Sequence, residues 1–245
     1  TAEIATWQPY LERYRRGEWR DRIVHDMILA DARTYGDRPT IVEVGCGGGF
    51  DNDVPLQRSI AGAAGHYVGV EPDPDIVLGD YFHETHRCFF EDAPLEPSSA
   101  QVVFAVMVLE HLPDPGPFWA KAHEVLAPGG VFWGLTVDGR HPFCWASAWM
   151  RRLRVKDLYP SLRYGRRGEE RYENYPVHYR SNTPEQIHRH AAAFRSCELI
   201  NFAREGQYAD YLPRPLRPLA HWHDRRDIRR GKPGTLLAVR AVKGD

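Results

Sequence analysis

Short apolar runs alternate with amphipathic stretches along most of this chain. Residues 40–44 (TIVEV), 66–70 (HYVGV), 102–106 and 131–136 are rich in β-branched side chains with little polar interruption, the composition of strands buried on both faces. Ahead of them, residues 1–38 place Trp7, Leu11, Tyr14, Ile23, Met27 and Ile28 between charges. That spacing is helical, and its simplest role is to pad a sheet rather than to close over a ligand as a lid. Asp53 followed by Pro55 reads as a helix N-cap and first turn. Pro115 and Pro117 open a helix carrying Phe118, Trp119, Ala122 and Val125, and Thr183 caps another that starts at Pro184. Residues 197–203 and 236–242 are the last two strand candidates. Strand and helix alternate over residues 40–138, which predicts a parallel sheet covered on both faces.

The first apolar run breaks into glycines at Gly45, Gly47, Gly48 and Gly49. Glycine tolerates positive φ, and it strips side chains from the place where backbone amides can touch a ligand. A dinucleotide fingerprint needs a glycine at position 50, where Phe50 stands, and a phosphate loop needs a lysine after the glycines, where there is none. What stands there is E-x-G-x-G-x-G, from Glu43 to Gly49. The second run ends in Glu71, roughly twenty residues past the last glycine, the offset at which a carboxylate meets ribose hydroxyls. Further along come Phe89-Phe90-Glu91-Asp92-Ala93-Pro94-Leu95, the segment Leu109-Glu110-His111-Leu112-Pro113-Asp114, and Leu126-Ala127-Pro128-Gly129-Gly130 before an apolar run.

The glycine turn and these last three segments, in this order, resemble the motifs of the class I S-adenosylmethionine-dependent methyltransferases, strongly over about residues 40–136 and weakly elsewhere. The resemblance implies an α/β, Rossmann-like, doubly wound seven-stranded sheet, mostly parallel with an antiparallel last strand. It implies S-adenosyl-L-methionine as cofactor and S-adenosyl-L-homocysteine as product. The expected cofactor contacts are Glu43, Gly45, Cys46, Gly47 and Gly49 in the turn, Glu71 with Pro72 for the ribose, Asp92 with Ala93 for the adenine, and Val106, Met107 and His111 after the fourth strand. Gln101 departs from the family, which often carries aspartate there, at a position read as structural. Cys46 reads as a small filler of the turn rather than a catalytic thiol.

The chain divides into an N-terminal helical segment (1–38), a cofactor-binding core (39–138), a helical and aromatic cap that binds substrate (139–195), and C-terminal strands that complete the sheet (196–245). The cap mixes Trp145, Trp149, Tyr159, Tyr164, Tyr172 and Tyr175 with Arg151, Arg152, Arg154, Arg163, Arg166, Arg167 and Arg171. Such a mixture suits either an anion or nucleic-acid surface or a solvated cap with aromatics turned inward. The balance of 32 Lys+Arg against 33 Asp+Glu favours the cap, and no nucleic-acid partner is expected. Arg225-Arg226-Asp227-Ile228-Arg229-Arg230 reads as a helix face or loop rather than a site. No apolar run approaches the roughly twenty residues that span a bilayer. Four scattered cysteines without a C-x-x-C pair point to a reduced cytoplasm, as monomer or homodimer, with no membrane partner.

Pairs such as His83 with His86, His188 with His190 and His221 with His223 match no zinc spacing, so no metal is expected. His111 follows the fourth strand and His141 the fifth, at the carboxyl edge where α/β sheets bind ligands. His178 and Tyr179 resemble a segment by which a bacterial subgroup of the family returns from the cap to the pocket. His141, His111 and Tyr179 are therefore the catalytic candidates, with His141 first as general base for a hydroxyl acceptor. The reading favoured is methyl transfer to an oxygen or nitrogen of a small molecule. The alternatives are a methyltransferase for RNA or protein, and a non-catalytic scaffold that binds the cofactor. A nicotinamide oxidoreductase is disfavoured by Phe50.

Overall fold

The structure is a computed structural model that describes residues 7–36, 38–50, 53–142, 144, 176–206 and 214–245. Two helices, α1 (Gln8–Arg15) and α2 (Arg20–Ala32), precede β1 (Thr40–Val44). There follow α3 (Val54–Ala63), β2 (His66–Val70), β3 (Glu84–His86), β4 (Ala100–Val106), α4 (Pro115–Val125) and β5 (Leu126–Val137). After the cap region come α5 (Pro184–His190), β6 (Ser196–Phe202), α6 (Arg217–Arg229) and β7 (Leu236–Val242). The seven strands form one sheet in the order β3-β2-β1-β4-β5-β7-β6. The first five pair in parallel, and β7 runs antiparallel to both β5 and β6. From β1 the chain winds outward through β2 and β3, then returns to β4 on the other side. The crevice between β1 and β4 is thus the topological switch point, where such sheets bind ligands.

The strands send alternate side chains to two cores. Val42, Val44, Val68, Val103 and Ala105 pack against Phe118, Trp119 and Ile187 of α4 and α5. Ile41, Tyr67, Val102, Phe104 and Val131 pack against Ile23, Met27 and Ile28 of α2 and Ile60 of α3. The N-terminal helical segment therefore pads the sheet. It is two helices and not one, because the chain turns at Gly17, whose φ of +100° suits glycine. Asp31, near the end of α2, anchors it: its carboxylate takes two hydrogen bonds from Arg240 of β7 (2.7 and 3.0 Å) and one from Trp133 Nε1 of β5 (2.8 Å).

Helix starts match their sequence signals. Asp53 accepts from the Leu56 amide at 3.1 Å, Asp114 from Gly116, and Thr183 exchanges side-chain and backbone hydrogen bonds with Gln186 in a capping box. Gln101 accepts a hydrogen bond from the Thr40 amide at 2.7 Å, so this departure from the family pattern starts the first strand. One boundary differs from the sequence reading. The predicted turn at residues 126–130 belongs to β5, as an irregularity where pairing steps from Ala100–Leu126 to Val102–Val131, with Gly129 at φ +72°. The aromatic and arginine-rich positions of the predicted cap from Trp145 to Tyr175 lie outside the described residues.

Candidate active site

The glycine turn sits where β1 ends, beside the end of β2. The Gly45 amide donates to Val70 O (2.8 Å) and the Gly47 amide to Glu71 Oε2 (2.9 Å), while the other Glu71 oxygen accepts from the Asp73 amide (3.0 Å). Gly45, Gly48 and Gly49 have φ of +70°, +77° and +91°. Gly47 is required for a different reason, close approach: a Cβ there would stand 2.7 Å from Glu71 Oε2 and within 2.9 Å of Ile76. The result is bare backbone held against a carboxylate. Pro72, half-buried, begins the loop that brings Ile76 over the turn.

Glu43 and Cys46 lie beneath this surface. Glu43 is 3 % exposed and accepts hydrogen bonds from the Tyr67 hydroxyl and from Gln57 Nε2 (2.9 Å). Gln57 Nε2 also donates to the Cys46 carbonyl (3.0 Å), and the Tyr81 hydroxyl donates to Gln57 Oε1. Burial pushes the Glu43 carboxyl up to about 7, against the lowering effect of the Tyr67 and Gln57 hydrogen bonds. Glu43 thus fixes the turn from below, through Gln57. The sequence reading missed Gln57, whose signal is its place one turn into α3, where a glutamine is otherwise ordinary. Cys46 packs its sulfur where a Cβ on Gly69 would come within 2.7 Å, and burial raises its thiol far above the ordinary range. Its sulfur fills space beneath the turn, and a raised thiol pKa disfavours the nucleophilic thiolate.

Asp92 is exposed at the end of a short 3₁₀ turn (Phe90–Asp92) next to buried Ala93, whose amide donates to Phe90 O (3.2 Å). Val106 closes β4, and Met107 follows with φ of +58°, its amide bonded to Leu135 O (2.7 Å). A left-handed methionine costs free energy, and such strain gathers where a site must hold its backbone in one shape.

His111 ends a 3₁₀ turn (Leu109–His111) after β4, and its Nδ1 lies 3.1 Å from Pro176 O. A carbonyl only accepts, so Nδ1 is the donor in this contact. The Glu110 carbonyl accepts from the His178 (2.8 Å) and Tyr179 (3.2 Å) amides, and Tyr179 has φ of +53°. The structure therefore joins the exit of the cap region to the turn after β4. Below it, the Thr136 hydroxyl donates to Glu110 Oε2 (2.8 Å) and accepts from Asn182 Nδ2 (2.6 Å). All three side chains are buried, and burial raises the Glu110 carboxyl above its usual range. Asn182 falls in the segment from His178 to Thr183 that resembles the family subgroup, but nothing in the sequence ties it to Thr136.

His141 lies further along the same edge. Its amide bonds to Asp138 O (3.0 Å), and it lines a small recess with Ala203, Arg204, Asp224, Asp227, Lys232 and Thr235, beside the ends of β5, β6 and β7. Burial lowers its pKa, partly offset by the Asp224 and Asp138 carboxylates, so the ring is neutral at neutral pH. Asp138 is fully buried and held by Arg140 (2.7 and 3.0 Å) and Asn201 (2.8 Å). The glycine turn and His111 occupy the β1–β2–β4 half of the edge, and His141 the β5–β7–β6 half. Among the described residues, no group of three His, Cys, Asp or Glu side chains is placed to hold a metal ion.

Residues 42–134 match the family model described as a methyltransferase domain. Over those residues this chain is similar to a methyltransferase domain. Ubiquinone biosynthesis O-methyltransferases are among its relatives. That of Pseudomonas paraeruginosa is 27 % identical over 155 residues, covering 58 % of this chain and 64 % of the relative. That of Saccharophagus degradans is 30 % identical with the same coverage. The chain thus spans a little under two thirds of the length of these relatives. Among solved structures, a Haemonchus contortus phosphoethanolamine N-methyltransferase superposes with a TM-score of 0.55 at 13 % identity, over 96 % of this chain and 60 % of that one. Geranyl diphosphate C-methyltransferase from Streptomyces coelicolor A3(2) gives 0.56 at 13 % identity, over 95 % and 88 %. At such identity these structures speak for the fold of the methyltransferase domain alone.

Proposed function

We propose that this methyltransferase domain binds S-adenosyl-L-methionine and transfers its methyl group to an oxygen or nitrogen of a small-molecule acceptor. The observation that carries the reading is the Gly47–Glu71 pair. The cradle has no room for a side chain, and its carboxylate has both oxygens oriented by backbone amides, which suits a ribose and needs no pyrophosphate. In this reading Gly45, Cys46, Gly47 and Gly49 offer backbone to the amino-acid portion, Glu71 and Pro72 take the ribose, Asp92 and Ala93 take the adenine, and Val106, Met107 and His111 border the methyl. Glu43 positions the turn. When bound, the cofactor supplies an electrophilic sulfonium methyl, so the protein's work is mainly alignment.

His141, neutral at neutral pH, removes the acceptor's proton, and Tyr179 and His111 shape the pocket. The relatives named for ubiquinone biosynthesis support a hydroxyl on a small molecule as acceptor. Calorimetry with S-adenosylmethionine and S-adenosylhomocysteine tests the cofactor. Binding of both is expected, and binding of neither overturns the reading. Methyl transfer to RNA or protein, or binding without transfer to any acceptor, would point to the competing readings.

A further inference from the structure

Helix α6 buries none of its residues, yet its side chains are sorted with respect to the protein. Flanked by exposed residues 214–216 before it and 230–232 after it, its own exposed positions fall at residues 218, 219, 222, 225, 226 and 229. Steps of three and four place them on one face. Along that face the chemistry changes from one end to the other. The N-terminal half presents Leu216, Leu219 and Trp222, which are 47 %, 61 % and 58 % exposed. The C-terminal half presents Arg225, Arg226, Arg229 and Arg230, with the Arg226 guanidinium 5.8 Å from the centre of the Trp222 ring.

The helix's two acids turn away from this face. Asp224 accepts from the Gly206 amide at 2.9 Å, Asp227 pairs with Lys232 at 3.1 Å, and their side chains are only 18 % and 14 % exposed. Glu205 borders one edge of the face, paired with Arg225 at 2.8 Å. The sequence reads residues 225–230 as a helix face or loop rather than a site; the structure makes most of them a helix face and adds that this cationic face continues into an apolar one.

We propose that this face of α6 docks peripherally on an anionic lipid bilayer, with Leu216, Leu219 and Trp222 entering the headgroup boundary and Arg226, Arg229 and Arg230 lying against lipid phosphates. Charge complementarity requires an anionic occupant, and the three large apolar side chains require one with apolar depth beside that charge. The bilayer boundary offers both across any footprint, with no matching pocket required. No helix among the described residues is long and apolar enough to cross a membrane, so attachment through α6 is superficial.

The test is co-sedimentation of the full chain with phosphatidylcholine vesicles, with and without phosphatidylglycerol. Binding is expected with phosphatidylglycerol, weakening as salt is raised. The pair Arg226→Glu and Arg229→Glu should lower partitioning on the order of tenfold or more, since each cation near the surface contributes a factor of about five. The pair Leu219→Ser and Trp222→Ser should lower it comparably, while Arg16→Glu, just past α1, leaves it unchanged. All these side chains are exposed, so unchanged circular dichroism is expected of each variant. Failure to bind the anionic vesicles overturns the proposal. So does binding that neither pair weakens, or equal binding to soluble poly-glutamate in competition.

Discussion

The Gly47 amide and the Glu71 carboxylate form one unit: the amide donates to Oε2 at 2.9 Å, and a methyl group on Gly47 would lie 2.7 Å from that same oxygen. Gly47→Ala therefore has to displace Glu71 or the adjacent Ile76. S-adenosylmethionine affinity should fall at least about tenfold, with a loss of stability of about 1–3 kcal/mol from overpacking. Calorimetry and urea unfolding measure the two, and a Gly47→Ala protein with unaltered affinity would refute the close approach as a binding feature.

Glu71→Ala should weaken S-adenosylmethionine and S-adenosylhomocysteine alike, by about 10- to 100-fold, because both carry the ribose whose hydroxyls the carboxylate accepts. A loss confined to one of the two ligands would place Glu71 near the sulfur and not the ribose.

Glu43 predicts a pH dependence of stability. Its carboxyl is raised from about 4.5 to about 7 in the fold. Below the unfolded value both states are protonated and the contribution is fully present. As pH rises from there through about 7, the folded state holds a proton that the unfolded state has released, so stability is lost, by up to a few kcal/mol. Glu43→Gln removes the titration, so its stability relative to wild type should improve steadily between about pH 5 and 8. Parallel unfolding curves for the two proteins across that range would show that Glu43 does not titrate there.

His141→Ala should lower turnover about 10²- to 10⁴-fold with cofactor affinity intact, the range for a general base. The acidic limb of the wild-type rate profile should lie below the ordinary imidazole value of about 6.5, since burial depresses the ring's pKa. Retained turnover in His141→Ala together with loss in His111→Ala would move the role to His111.

Thr136→Val deletes the hydroxyl that joins Glu110 to Asn182. A buried carboxyl and a buried amide each lose a partner, at a cost of about 1–3 kcal/mol apiece before relaxation. Urea unfolding measures the sum. A loss within about 0.5 kcal/mol, ordinary for a surface change, would mean that the network adds nothing to the fold.

Much of the site was legible because its rules are local. Positive φ at Gly45 and Gly49, the Asp53 cap, the Thr183 cap and the run of β-branched residues into Glu71 each depend on neighbours within a few positions, so residue order alone reveals them. The networks were not legible. Gln57 meets Glu43 across 14 residues, and Asn182 meets Thr136 across 46. A glutamine in a helix and an asparagine before a capping residue have many ordinary uses, and only packing selects among them.

The sequence by itself determined six of the seven strands, the helix starts at Asp53, Pro115 and Thr183, the bare turn at Gly45–Gly49 and the acidic residue that faces it, because backbone sterics and the period of apolar positions act along the chain. Tertiary structure alone decided that Glu43 buttresses the turn from beneath, that the exit of the cap region hangs on the Glu110 carbonyl, and that His141 opens on the β5–β7–β6 half of the edge. Those are relations between distant segments, and they exist only once the sheet has brought its strand ends to a common edge and burial has left each polar group to find its partner.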